Sequence, residues 1–155
     1  MIKFLIITPT YKRLSFVQKL HAMLSEQDYP YWQWFVRHDG PSQEYRQFFA
    51  KVSNSKINFL ELPQHIGDWG HSPRIDAVRA SEKSDCNYTV FWDDDNFYPA
   101  NTLSSIAEEL LNNNQPDLLV LRIKSNGGIL PKIRLSVHDL SPVSYTHLRA
   151  HETLR

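Results

Sequence analysis

Three consecutive aspartates, Asp93-Asp94-Asp95, followed by Asn96, are the residues of this chain whose types and spacing most readily do chemistry. They come directly after the apolar run Tyr88 to Trp92. Adjacent carboxylates repel one another and are tolerated when solvated or neutralised by a cation. Hard divalent ions such as Mg²⁺ and Mn²⁺ prefer carboxylate oxygens and keep positions open for phosphate. A metal–diphosphate site is one reading. An exposed acidic turn that caps the following helix is the other, and the residues alone leave both open. Alternation along the run places the side chain of Asp94 away from those of its two neighbours.

Weaker signals accompany this one. Asp39-Gly40 follows a second apolar run, and its carboxylate can accept hydrogen bonds from a base imide or a ribose, although a plain turn explains the pair equally well. Thr8-Pro9-Thr10-Tyr11-Lys12-Arg13 offers hydroxyls, backbone donors and a cation. Gly67-Asp68-Trp69-Gly70-His71 precedes Arg74, where a guanidinium and helix N–H groups can meet a diphosphate; a loop packed by Trp69 is the simpler account. There is no G-x-G-x-x-G, no Walker A sequence and no G-x-S-x-G elbow.

The elements that must position these groups can be read from periodicity. Ile2 to Thr8 is a β-branched apolar run and predicts a buried strand, followed by an amphipathic helix over 15–27 with Leu14, Val17, Leu20 and Leu24 inward. Gln33 to His38 predicts a second strand, Tyr45, Phe48, Phe49 and Val52 a second helix, and Ile57 to Leu62 a third strand. Ser72-Pro73 reads as an N-cap and first helical turn, with Ile75 and Val78 on the apolar side. Asn87 to Trp92 is the fourth strand. Asn101 or Thr102 caps a helix with Leu103, Ile106, Leu110 and Leu111 inward, and Leu118 to Ile123 is the fifth strand. Gly127-Gly128 and the residues beyond give no clear element. Strict alternation of strand and helix implies an α/β fold, a mostly parallel sheet with helices on both faces. Such sheets bind ligands beyond the carboxyl ends of their strands, where all the groups above lie.

The chain of 155 residues suits one domain, and its 17 basic and 17 acidic residues cancel, which argues against nucleic acid as a partner. Cys86 is the only cysteine, so no internal disulfide and no cysteine-built zinc site is possible. No secretory signal and no membrane span is read, so a cytoplasmic location is expected, with docking at the inner face of a membrane left open. The segment 143–155 reads differently from the rest. Val143 to Thr153 resembles one translated frame of a transposase-type sequencing adapter, so His147 and His151 are set aside as a metal pair. Native sequence is expected over 1–142, with a further C-terminal part missing.

The order of the motifs is more specific than any one of them. A first strand ends in Pro-Thr-Tyr-Lys-Arg, a second in Asp-Gly-Pro-Ser, a Gly-rich loop with Arg74 follows, and a fourth strand ends in Asp-x-Asp-Asn. This resembles the family 2 glycosyltransferases of the GT-A fold, over about Ile2 to Ile123. The resemblance implies transfer of a sugar from a nucleotide diphosphate donor, expected to be UDP-linked, to a hydroxyl on a glycan or lipid-linked acceptor, with inversion and with Mn²⁺ or Mg²⁺. It implies that Thr8, Pro9, Thr10, Tyr11 and Arg13 belong to the first nucleotide-contacting loop, that Asp39 reads the base, and that Arg74 lies near base and phosphates. Asp93, with Asp94, would sit by the donor, and Asp95 would bind the metal. His38 stands where the family often has an acidic residue, and Ile75 where it usually has Asn, which weakens inferences about base choice. The family's catalytic base lies well downstream; Asp139 is too close in sequence, and none is assigned. A nucleotidyltransferase and a non-catalytic nucleotide or metal module are the rivals. The first would need a glycine-rich loop after the first strand, and residues 8–13 have no glycine. An Asp-x-Asp phosphatase would carry its motif after the first strand.

Overall fold

A seven-residue strand buried at every position, Phe4–Thr10 (β1), is the spine of the sheet. It pairs in parallel with Trp32–His38 (β2) on one side and with Tyr88–Phe91 (β4) on the other, and Ile57–Glu61 (β3) adds in parallel to β2. The structure is a computed structural model describing residues 1–52, 54–82, 84–119, 123–125, 128–130 and 147–149. Four helices alternate with these strands: Leu14–Ser25 (α1), Gln43–Val52 (α2), His71–Ser81 (α3) and Thr102–Asn112 (α4). The chain runs outward from β1 through β2 to β3, then crosses back to place β4 on the other flank of β1. That reversal is a topological switch point, and it opens a crevice between the carboxyl ends of β1 and β4.

The two faces of the sheet are covered unequally. On one, Phe4, Ile6, Trp34, Val36 and Val90 pack against Val17, Leu20 and Leu24 of α1, Tyr45 and Phe49 of α2, and Leu103, Ile106, Ala107 and Leu110 of α4. On the other, Leu5 and Ile7 meet Ala77 of α3 and Cys86. Burial pushes the Cys86 thiol up from its ordinary value. Because both faces of β1 are covered, its residues are apolar without alternation.

The expected elements are present with local corrections. Ser72 is not the cap of α3: Gly70 holds the cap position, Ser72 lies inside the first turn, and Asp68 accepts from the Ser72 N–H and hydroxyl. Ile75 is 51% exposed, since α3 lies on the sheet through the small residues Pro73, Ala77 and Ser81 at four-residue spacing. Leu111 is 55% exposed, one position past the stripe that ends at Leu110. The expected fifth strand is described at Leu118–Leu119 (β5); residues 120–122 lie outside the described residues, and Ile123–Ser125 (β6) pairs with Gly128–Leu130 (β7) in an antiparallel ribbon. Gly127, Asp139 and His151 also lie outside the described residues.

The segment 143–155, expected to stand apart from the fold, supplies a strand. His147–Arg149 (β8) lies antiparallel between β4 and β5, with Val90 opposite His147 and Leu118 opposite Leu148. The physical reason is the open edge of β4, whose unpaired N–H and C=O groups accept a short extended segment through backbone bonds, whatever its side chains.

One buried charge ties the sheet to α3. The Arg37 side chain is fully buried; its Nε donates to Asp76 at 2.8 Å and its Nη1 to the Asn58 side chain at 2.9 Å. Burial draws the Arg37 pKa down, against the pull of Asp76. Asp76 sits two residues after Arg74 on α3, so this pair fixes the helix that carries Arg74.

Two outcomes are expected in urea or thermal denaturation. Asp76→Ala leaves the Arg37 charge uncompensated and costs about 3–5 kcal/mol, whereas Arg37→Met with Asp76→Ala recovers most of that loss. Deleting residues 143–155 unpairs β4 from β5 and lowers Tm by roughly 2–8 °C; an unchanged Tm would show that β8 adds no stability.

Candidate functional site

The parallel register brings three strand ends level. Thr10 lies opposite His38, the Asp39 N–H donates to the Thr10 carbonyl at 3.0 Å, and the Trp92 N–H donates to the Ile7 carbonyl at 3.0 Å. The groups that follow β1, β2 and β4 therefore share one edge. Beyond β4 the acidic turn is closed by Trp92 stacked on Tyr98, ring centres 3.9 Å apart, with the Tyr98 hydroxyl donating to the Asp93 carbonyl. Burial raises the Tyr98 pKa, so this hydroxyl stays protonated.

Each of the three aspartates is held by a guanidinium. Arg74 Nη2 donates to Asp93 at 2.6 Å. Arg13 Nη1 bridges the other two, 3.0 Å from Asp94 and 2.6 Å from Asp95. Asp94 is turned inward, 5% exposed, while Asp93 and Asp95 are 30% and 46% exposed, and it shares Arg13 with Asp95. Burial raises the Asp94 pKa, while the Thr10 hydrogen bond and the Arg13 charge oppose the rise.

A chain of hydrogen bonds fixes Asp94 from behind. The Arg13 N–H donates to the Tyr45 hydroxyl at 2.9 Å, that hydroxyl donates to Thr10 Oγ1 at 2.9 Å, and Thr10 Oγ1 donates to Asp94 at 2.7 Å. Tyr45 lies on α2, so the chain joins α2, β1 and the acidic turn. Burial raises the Tyr45 pKa.

Asp39 is enclosed by the loop that follows β3. Its carboxylate accepts from the Ile66 N–H at 2.8 Å, the Gly67 N–H at 2.9 Å and His65 Nδ1 at 2.8 Å. A carboxylate has about four lone-pair sites, so one remains beside these three donors. Gly40 permits the approach: its φ is +97°, and a Cβ there would stand 2.9 Å from the His65 nitrogen. The His65 ring stacks on Tyr11, centres 4.0 Å apart. His38 donates from Nδ1 to the Gly40 carbonyl at 2.6 Å.

A cleft of about 690 Å³ opens among these groups. Nine of the ten residues named from the sequence line it: Pro9, Thr10, Tyr11, Arg13, Asp39, Arg74, Asp93, Asp94 and Asp95. Thr8 does not. It is fully buried, and its hydroxyl accepts from the Trp34 indole N–H at 2.9 Å, because β1 is packed on both faces there. His65 and Tyr45 were missed; a histidine in a polar loop carries no spacing signal, and Tyr45 reads from sequence only as a helix-face residue. Gly70, at φ +84°, passes so close to Arg74 and Pro9 that a Cβ would lie 3.0 Å from Arg74 Nη1. Among the described residues no three His, Cys, Asp or Glu side chains are grouped to hold a metal by themselves.

The family model for glycosyl transferase family 2 matches residues 5–153. The chain belongs to glycosyl transferase family 2. Its fold is the GT-A fold seen in solved glycosyltransferases. S. aureus TarS in complex with UDP is similar at 22% identity and a TM-score of 0.76, over 96% of this chain and 47% of that one. TarS in complex with UDP-GlcNAc matches at 25% identity and a TM-score of 0.68, over 84% and 37%. The mannosyltransferase PcManGT from Pyrobaculum calidifontis, in complex with GDP-Man and Mn²⁺, matches at 19% identity and a TM-score of 0.61, over 75% and 33%. No curated protein matches the chain. This family 2 chain thus spans about half the length, or less, of these solved structures. No helix among its described residues is long and apolar enough to cross a membrane.

The hydrogen-bond chain behind Asp94 gives a direct test. Tyr45→Phe and Thr10→Val each leave buried partners unsatisfied and are expected to cost about 1–3 kcal/mol in urea denaturation. The double variant should cost less than the two losses added, because both remove the same chain. Full additivity would show that the three groups are not coupled.

Proposed function

We propose that this chain is the donor-binding part of an inverting, metal-dependent glycosyltransferase, acting on a nucleotide diphosphate sugar, expected to be UDP-linked. The observation that carries the reading is the cleft at the β1–β4 switch point, where an acidic turn faces two guanidinium groups. The structures with UDP, UDP-GlcNAc and GDP-Man with Mn²⁺ are fold relatives and support the same ligand class. In this reading the remaining lone pair of Asp39 accepts from the base, Asp93 lies by the ribose, and Arg74 and Arg13 offset the charge of the diphosphate. The loop residues Pro9, Thr10 and Tyr11 wall the nucleotide side. Thr8 supports them from within the core.

A divalent cation fits Asp95. Its carboxylate is 46% exposed, and Mg²⁺ or Mn²⁺ is commonly held by one or two carboxylates together with substrate phosphates and water. When bound, such an ion stabilises negative charge on the departing diphosphate. Asp94, already engaged with Thr10 and Arg13, serves as a support for the turn. The acceptor, a glycan or a lipid-linked hydroxyl, and the general base that would deprotonate it are assigned to sequence outside 1–142. Residues 1–142 form the donor domain, and 143–155 are of foreign origin even though β8 joins the sheet. A cytoplasmic site of action, at or near a membrane surface, suits a nucleotide-sugar donor.

Calorimetric titration with UDP, with and without Mn²⁺, tests this reading. Mn²⁺ should raise UDP affinity about 5- to 150-fold, the usual range for coupling between two ligands. Asp95→Asn keeps the size of the side chain, removes its charge and should abolish most of that gain. Equal affinity with and without the ion, or an Asp95→Asn variant indistinguishable from the parent, returns the cluster to a solvated acidic turn.

A further inference from the structure

The loop between β3 and α3 holds an anomaly. Of the chain's four tryptophans, Trp32, Trp34 and Trp92 are 8%, 0% and 1% exposed, while Trp69 is 93% exposed. Its backbone is in the left-handed region, φ +59°, and Gly70 follows at +84°. A bulky residue rarely takes that conformation, and it persists only where the surroundings enforce it. Here they do. The Trp69 carbonyl accepts from Arg74 Nη1 at 3.2 Å, while Nη2 of the same guanidinium holds Asp93. The backbone is thus pinned, and a large apolar ring is held out of the core at the wall of the cleft.

We propose that Trp69 is the stacking platform for the nucleobase of the bound nucleotide, a role that rests on the nucleotide reading given above. Position favours the base over the diphosphate. Trp69 follows Gly67 by two residues, and the Gly67 N–H holds Asp39, the group assigned to the base. Asp95 and Arg13, assigned to metal and diphosphate, come from other loops, and Arg74, the other guanidinium assigned to the diphosphate, meets Trp69 at its backbone carbonyl. An indole offers a flat π face that any base can cover, with little side-chain freedom to lose. A strained backbone that presents this face before ligand arrives makes it preorganised.

The chain itself provides the probe, because Trp69 alone of its four tryptophans is open to an aqueous quencher. UDP with Mn²⁺ should change tryptophan emission and shield it from iodide. Inorganic diphosphate with Mn²⁺, which lacks a base, should do neither. Trp69→Ala and Trp69→Gly should lower UDP affinity at least about 5-fold in calorimetry, with diphosphate affinity unchanged. The glycine variant relieves the positive φ, so its loss cannot be ascribed to backbone strain, and Trp69→Phe should keep most of the affinity. A parent that binds UDP while Trp69→Gly binds it equally well overturns this role alone and leaves the indole as a contact for another part of a longer chain. A loss of diphosphate affinity equal to that for UDP also overturns it. A parent that binds no UDP in any condition overturns the nucleotide reading, and this role with it.

Discussion

The arrangement of this site depends on mutual neutralisation between three adjacent carboxylates and two guanidinium groups. Asp93, Asp94 and Asp95 stand in sequence at one strand end, where their repulsion would otherwise splay the turn or draw it into solvent. Arg74 holds the first, and Arg13 holds the other two. These arginines come from different elements, one at the start of α1 and one within α3. The clamp therefore closes the crevice from both sides and fixes the loops after β1 and β3 relative to β4. Exposed ion pairs contribute little to stability, but Asp94 is buried, and leaving it without Arg13 and Thr10 would strand a charge away from water.

The rest of the fold supplies the precision that this clamp needs. β1 gives Arg13 and Thr10 a base that is buried on both faces and paired on both edges. Tyr45 reaches from α2 to hold the Arg13 backbone, so the arginine is fixed at its main chain as well as at its tip. On the other flank, Arg37 and Asp76 join β2 to α3 and set the height of Arg74. Two glycines with positive φ, Gly40 and Gly70, let backbone pass where a side chain would collide, and both contacts lie at the cleft. Shape and charge at the site are thus products of the same few close approaches.

Much of this was legible in the sequence, and the gaps have physical causes. Strand–helix alternation and the ends of β2 and β4 follow from periodicity to within a residue, because buried parallel strands and amphipathic helices leave strong local patterns, while β1 runs to Thr10, two residues past its expected end at Thr8. Nine of the ten named site residues line one cleft: those after β1, β2 and β4 lie at strand ends, and Arg74, named through its helix start and the family resemblance, joins them from α3. Thr8 failed because a hydroxyl on a strand can face the core when an indole N–H is there to satisfy it, which no local pattern reveals. Ile75 and Leu111 failed because helix orientation is set by the small residues that approach the sheet, or by one step of rotation. The antiparallel insertion of β8 depends on an edge that exists only after folding. His65 became a partner of Asp39 only through loop geometry.

Charge at the cleft also constrains what can enter it. Four aspartates, Asp39, Asp93, Asp94 and Asp95, face two arginines, Arg13 and Arg74, so with the histidines neutral the wall carries a net charge of minus two. The buried position of Asp94 favours its protonated form and lowers this figure only when that proton is bound. A diphosphate alone would add negative charge to a wall already negative, and its approach would be opposed at short range, where screening is weak. In the proposed reading a divalent cation would offset the wall, and Asp95 would be the carboxylate that holds it. Arg13 lies 2.6 Å from the Asp95 carboxylate. In that reading an ion would compete with this guanidinium for Asp95, and a diphosphate would offer Arg13 another anion to pair with. Metal and nucleotide would therefore favour each other through one exchange of partners, without any change in the fold of the sheet that carries them.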